Sequence, residues 1–402
     1  MRVAIVSAGA VPNPTTGGGA LTQWTVVKWL VEQGHEVTVC HLHSDVFTDP
    51  SGMPREARHD ALRALGANVV VVEPVTREPI PRGGALARGR RLVRPRDEEL
   101  YPDLRQAPAM RAAIERIAPD VAWVYHFEAL TASHTLRGVV PRFAAVGDPS
   151  HLPRLYHWRL RPTARGALRL ASTLAWQPPL ERRLLRACEA AGAFAAHHAA
   201  QLGVEYLRTP VPDERVPRRE SRDPTVLLMG HLSGAVTVEG LRVFRRVLPA
   251  LEREGVRVRV VGGHDSPTWL RESAVVELAG HREEAAEDFA TAHVLVVPTS
   301  IPLGIRVRVI TAWSFGTPVV AHRANANGIP ELAHGENALL ASSPEELSEH
   351  TLRALRDEDL RRRLEVRGRE TYERFFAPPV AARAIEDRLA ALAEQQRSRV
   401  RV

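Results

Sequence analysis

Apolar residues along this chain fall into two patterns. Some form short continuous runs, such as Val3 to Val6, Val69 to Val72, Val121 to Tyr125 and Phe143 to Gly147. In the second half the runs are Val226 to Met229, Val294 to Val297 and Val319 to Ala321, and two further strands, Val256 to Val261 and Val275 to Ala279, are interrupted by Arg257, Arg259 and Glu277. Runs of this kind read as strands buried on both faces, as in parallel sheets. Between them apolar positions recur every three or four residues, as at Leu21, Trp24, Val27, Leu30 and Val31, which predicts amphipathic helices. Further helices are expected at Met110 to Ile117, 237–253, Glu345 to Leu355, Arg361 to Phe376 and Val380 to Gln396. A short helical segment is expected around Thr311 to Phe315.

Strand and helix alternate twice over, so the expected fold is α/β, with two Rossmann-like domains facing across a cleft. Residues 1–208 form the first domain, with 193–208 as its last strand and helix. Residues 209–225, with four prolines and alternating charge, form a linker, and 226–376 form the second domain. Pro378-Pro379 interrupts the pattern, so 377–402 is read as a final helix that crosses back to the first domain. Its basic tail, RSRVRV, is expected to fray.

With 402 residues the chain is long enough for two cores. Its apolar fraction of 44% and charged fraction of 25% are those of a soluble globular protein. A net charge of +7, carried mostly by arginine, favours anionic partners: nucleotide sugars, phospholipid surfaces or nucleic acid. Cys40 and Cys188 are too few for a disulfide framework and match no zinc spacing, so no metal is expected and a cytoplasmic location is. Met1 to Val6 reads as the first strand rather than a secretion signal, and no apolar run reaches the roughly 18 residues of a membrane span.

Candidate chemistry gathers at expected strand ends, where open α/β sheets bind ligands. Gly17, Gly18 and Gly19 stand at the start of a helix and offer backbone N–H groups to an anion. His126 follows Val121 to Tyr125. Asp148, in Asp-Pro-Ser-His, follows Phe143 to Gly147; it is either an acceptor-side base or a turn residue capping its own backbone. Past Val294 to Val297 come Gly304, Arg306 and Arg308, two forked cations at a helix mouth that suit a phosphate or diphosphate. His281 and Arg282 end the preceding strand and complete the candidate donor-binding set with Thr311.

Two basic stretches stand apart. Arg77 to Arg96 is rich in Pro, Gly and Arg and reads as a solvated segment. From Arg154 to Arg186 eight arginines oppose the single acid Glu181, interleaved with Trp158, Trp176, Leu168 and Leu170. That stretch is either a helical face with arginines reaching past apolar surface or an amphipathic surface at a membrane interface. No recognition motif accompanies it, so nucleic acid is not an expected partner.

The run from Ala292 to Gly335 resembles the donor-binding core of retaining nucleotide-sugar glycosyltransferases of the GT-B fold, specifically glycosyltransferase family 4. The resemblance rests on Pro298-Thr299, Ala312, Gly316-Thr317-Pro318-Val319-Val320, Gly328-Ile329-Pro330-Glu331 and Gly335-Glu336-Asn337-Ala338-Leu339-Leu340. The family's Glu-x7-Glu falls on Leu303 and Thr311, so both carboxylates are missing, while Gly304-Ile305-Arg306-Val307-Arg308 fits a Gly-x-Arg-x-Lys variant. The family's Gly-Arg-Leu and Lys-Gly correspond to Gly230-His231-Leu232 and Glu239-Gly240, which removes a second phosphate-binding pair. The resemblance implies metal-independent transfer, with retention, from a nucleoside diphosphate sugar to a hydroxyl or amine acceptor, without a cofactor. The acceptor class is a small molecule, a saccharide or a lipid-linked molecule. It also implies that His126 approaches the sugar, that Gly17 to Gly19 reach donor phosphate or sugar, and that Thr311 faces the ribose.

The missing glutamates also suit an enzyme coupling an unusual sugar or cyclitol, or a catalytically inactive binding protein of GT-B shape. The basic stretches raise peripheral contact with the inner face of a membrane. Asp357-Glu358-Asp359 spells Asp-x-Asp but lies in a charged helical stretch and is not read as a metal site.

Overall fold

The computed structural model describes residues 1–42, 52–73, 101–160, 162–214, 216–232, 234–262 and 266–400. The whole basic segment Arg77 to Arg96, Gly263 and the last two residues lie outside the described residues.

The first domain begins with β1 (Arg2–Ala8), α1 (Gly18–Glu32), β2 (Glu36–Leu42), α2 (Arg55–Ala64) and β3 (Asn68–Val72). It continues with α3 (Ala107–Ile117), β4 (Val121–Tyr125), α4 (His126–Ala132) and β5 (Arg142–Val146). A helical hairpin, α5 (His151–Leu160) and α6 (Ala164–Arg186), precedes β6 (Ala190–Ala193), α7 (Ala196–Leu202) and β7 (Glu205–Tyr206). These strands form one parallel sheet in the order β3-β2-β1-β4-β5-β6-β7.

The second domain runs β8 (Thr225–Met229), α8 (Ala235–Arg253), β9 (Arg257–Val261), α9 (Thr268–Arg271), β10 (Val276–Gly280), α10 (Ala286–Thr291) and β11 (Val294–Val297). Then follow α11 (Val307–Ser314), β12 (Val319–His322), β13 (Leu339–Ala341), α12 (Pro344–Arg356), α13 (Glu358–Phe375) and α14 (Pro378–Val400). Its parallel sheet has the order β10-β9-β8-β11-β12-β13.

The central strands of both sheets are buried on both faces, which is why β1, β4, β8 and β11 are nearly unbroken apolar runs, whereas β9 and the edge strand β10 carry charged residues on a more open face. Val3, Ile5 and Trp123 face one side of the first sheet, while Ala4, Val6 and Val124 face the other. Strand order reverses between β1 and β4 in the first sheet and between β8 and β11 in the second. Loops leaving adjacent strands at such a point diverge and leave a crevice. Each domain therefore brings one crevice to the surface it shares with the other.

The segment before β8 is fastened to the second domain rather than free. Arg218 Nη1 donates to the carbonyls of Phe289 and Ala292, both at 2.7 Å. After Phe376 the chain returns: α14 packs its buried Ile385 and Leu389 with Val26, Val27 and Leu30 of α1. Burial of that kind contributes about 1.5–3 kcal/mol for each large side chain. Glu386 of α14 accepts from Trp29 Nε1 at 2.8 Å and meets His35 Nε2 at 2.8 Å. The described part of the tail is helical through Val400, with Arg397 Nη2 3.3 Å from Asp120, and its last two residues lie outside the described ones.

Candidate active site

The loop after β11 carries Arg306 and Arg308 to the cleft. Arg306 caps α11, and Arg308 lies in its first turn, so both guanidiniums stand where the helix dipole is positive. The helix begins earlier than its sequence suggests; Val307, Val309 and Ile310, β-branched residues of modest helix propensity, occupy its first turns and mask the start. Arg306 donates to the carbonyl of Leu303. Arg308 reaches under β8, where a β-carbon on Gly230 would stand 2.5 Å from its Nη1. Withdrawal from solvent lowers the pKa of both arginines. For Arg308 the neighbouring Arg306 adds to the effect and brings it to about 9, whereas Asp148 partly offsets it for Arg306. Two adjacent, poorly solvated cations at a helix N-terminus form a site that an anion would stabilise.

The first domain meets them directly. A β-carbon on Gly18 would lie 2.6 Å from Val307 Cγ2, so the glycine lets the N-terminus of α1 approach that of α11. Asp148 lies across the cleft against Gly304, whose φ is +66°; a β-carbon there would stand 2.6 Å from Asp148 Oδ1. His126 opens α4 directly from β4 with φ +68°, uncommon for a residue with a β-carbon, and its ring packs edge-on to Tyr125 at 4.1 Å. Burial lowers the His126 pKa, against the pull of Glu128 and Asp148. Gly19 lies beside it, with a β-carbon there 3.4 Å from His126 Nε2.

Two further histidines were not legible in the sequence. His198 of α7 is fully buried, with Nδ1 3.3 Å from Asp148 Oδ1. His197 spans the cleft, its ring nitrogens 2.9 Å from Asn327 O and 3.0 Å from Pro302 O. They sit in Ala-Ala-His-His, where no spacing or flanking motif sets them apart; only the placement of β6 beside β5 brings them to Asp148.

The structure thus brings Gly17, Gly18, Gly19, His126, Asp148, Gly304, Arg306 and Arg308 to one cleft. Thr311 lies one turn into α11, and its hydroxyl donates to Val307 O at 3.1 Å, which leaves its lone pairs for another donor. His281 and Arg282 are engaged on their own domain toward the sheet edge. His281 Nε2 is 3.7 Å from Glu283, and Arg282 Nε is 3.6 Å from Asp288. Glu331 lies at the cleft's rim as an interdomain tie, accepting from Arg208 Nε at 2.7 Å and Tyr206 OH at 3.1 Å. Asp357 caps α13, accepting from Leu360 N at 2.9 Å. Among the described residues no group of three or more His, Cys, Asp or Glu is placed to hold a metal ion.

Residues 223–357 match the family model described as glycosyl transferases group 1. No curated protein matches the chain in a sequence comparison. Solved structures similar over nearly the whole chain include sucrose-phosphate synthase from Thermosynechococcus elongatus. It is 17% identical with a TM-score of 0.67, and the match covers 100% of this chain and 98% of that one. HepE of Anabaena in complex with UDP-glucose is 14% identical with a TM-score of 0.68, covering 97% and 100%. The glycosyltransferase of kitacinnamycin is 18% identical with a TM-score of 0.54, covering 96% and 99%. The fold is therefore GT-B, and the second domain is similar to a group 1 glycosyltransferase domain. No described helix is long and apolar enough to cross a membrane.

Proposed function

We propose that the protein is a retaining, metal-independent glycosyltransferase of family 4 type that uses a nucleoside diphosphate sugar as donor. One observation carries the reading: Asp148 of the first domain lies against the Gly304–Arg306 turn of the second, beside the paired guanidiniums. The diphosphate is held by Arg306, Arg308 and the N-terminus of α11, with the glycines of α1 opposite. In the reaction the acceptor oxygen or nitrogen bonds to the anomeric carbon as the carbon–oxygen bond to the diphosphate breaks. Arg306 and Arg308 stabilise the charge that develops on the leaving group. The acceptor's proton passes to Asp148 or to the departing phosphate oxygen. Because the carboxylate stands on the diphosphate's side, the acceptor enters by the face the diphosphate leaves, which retains configuration.

His126, kept neutral by burial, orients the sugar, and Thr311 offers the ribose a single hydroxyl where the family's second glutamate would stand. The arginine pair takes over binding that relatives assign to acidic and lysine side chains. Neighbouring HepE structures contain UDP and UDP-glucose, so uridine nucleotides are the first probes.

Titration calorimetry with nucleoside diphosphates, followed by donor-hydrolysis assays, tests the reading. Arg306→Ala is expected to lower turnover at least about tenfold, or about 1.4 kcal/mol. Anomeric assignment of the product by NMR tests retention. Binding of a nucleotide sugar with no hydrolysis or transfer would favour the inactive binding protein; indifference to every nucleoside diphosphate would end the donor-site assignment.

A further inference from the structure

We propose that the α5–α6 hairpin docks the protein on the surface of an anionic lipid bilayer. Helix α6 is apolar on two opposite sides. Its inward ridge, with Leu170, Thr173, Gln177 and Leu180, is buried against the first domain. Its outward ridge repeats the spacing with Leu168, Ala171, Ala175 and Pro179, all exposed. Leu168 is 52% exposed, Leu174 42% and Trp176 37%, so three of the six large apolar side chains exposed among the described residues stand on this one helix.

Charge selects what covers it. From His151 to Cys188 the sole acid is Glu181, and it is fully buried, accepting from Tyr101 OH and from Ser150 N. The hairpin's outer face therefore carries no carboxylate of its own, while Arg165, Arg169 and Arg182 are exposed around the apolar ridge. An apolar stripe among arginines, with no exposed carboxylate on the hairpin itself, is complementary to a negatively charged interface that accepts side chains into its acyl boundary. A nucleic acid would satisfy the arginines and leave the apolar ridge in water. A helix of 23 residues with this composition lies along a membrane rather than through it.

Position gives the surface a purpose. Helix α5 begins three residues beyond Asp148 and touches α8 of the second domain, so the hairpin flanks the mouth of the cleft. A bilayer held there presents a lipid-borne hydroxyl or amine to Asp148; this step, though not the docking itself, rests on the transferase reading above.

Co-sedimentation of the full chain with phosphatidylglycerol-containing and pure phosphatidylcholine vesicles, at low and high salt, tests the proposal. Binding is expected to the anionic vesicles alone and to weaken with salt. Arg165→Gln with Arg169→Gln and Arg182→Gln should weaken it by about fivefold per charge. Leu168→Glu should weaken it at least about tenfold. All four positions are exposed, and an unchanged melting temperature and unchanged nucleoside diphosphate binding would confirm intact folding. Wild-type protein left in the supernatant, equal binding to both vesicles, or indifference to these substitutions would overturn the proposal. Capture of an oligonucleotide or self-association in place of vesicle binding would do the same. Vesicle binding is read without substrate, so its failure leaves the donor site untouched, and failure of nucleotide binding leaves the docking surface untouched.

Discussion

The two domains share a strand order around their reversal points, yet they bring opposite chemistry to the cleft. In the first, the loops after β4, β5 and β6 present His126, Asp148 and His198, two imidazoles and a carboxylate. In the second, the loop after β11 presents Arg306 and Arg308, permanent cations at a helix mouth. One architecture thus gives a half bearing imidazoles and a carboxylate and a half bearing guanidiniums, because the topology dictates where loops emerge and not what they carry. Chemistry needing both halves can occur only while the domains are closed on each other.

The most forceful way to break this division is to remove the cationic half. Arg306→Ala with Arg308→Ala should reduce kcat/KM by about a thousandfold, or about 4 kcal/mol, measured by steady-state kinetics at saturating acceptor. The half with the imidazoles is instead exposed to acid. His41 lies beneath the loop after β1, its Nε2 3.1 Å from Gly9 O and its Nδ1 3.3 Å from His59. Burial, with smaller contributions from the charges of His59 and Arg55, lowers its pKa to about 4, although the Gly9 carbonyl favours the charged ring.

Below about pH 6.5 the unfolded chain therefore binds a proton that the native state refuses. The stability is fully present above that pH and is lost as pH falls toward 4, at about 3 kcal/mol for the shift. Chemical denaturation across this range should follow that slope, and His41→Asn should flatten it. Asp148→Asn keeps the shape and removes the carboxylate proposed as one of two proton acceptors. Turnover should fall about a hundredfold, or about 2.7 kcal/mol, with little change in donor KM. The smallest effect is expected where α14 meets the first domain. Glu386→Gln weakens the contacts with Trp29 and His35 and should cost about 1 kcal/mol, seen as a lower melting temperature with unchanged nucleotide affinity.

Much of this was readable along the chain, and the remainder was hidden for physical reasons. Buried parallel strands announce themselves as continuous apolar runs, so Val294–Val297 and Val319–His322 could be placed, and with them the arginines between. Glycine before a helix was readable too, but its reason was not. At Gly18 the absent side chain makes room for Val307 of the other domain, a contact visible only once the two lobes are docked. His198 was silent because its meaning lies in β6 pairing with β5, and pairing between distant strands leaves no local mark. The start of the tail is held by a contact that no local pattern announces: Arg397 meets Asp120 of the first domain.

The chain passes between its lobes twice, and the two passages lie side by side. Tyr372 OH donates to Val211 O at 2.9 Å, and Val211 N donates to Phe376 O at 3.2 Å, so outgoing and returning segments are stitched together. Two neighbouring tethers behave like the knuckles of a door. A rigid-body opening of the lobes that keeps these bonds would swing about that seam, and the farther a side chain sits from Val211, the wider the arc it would sweep.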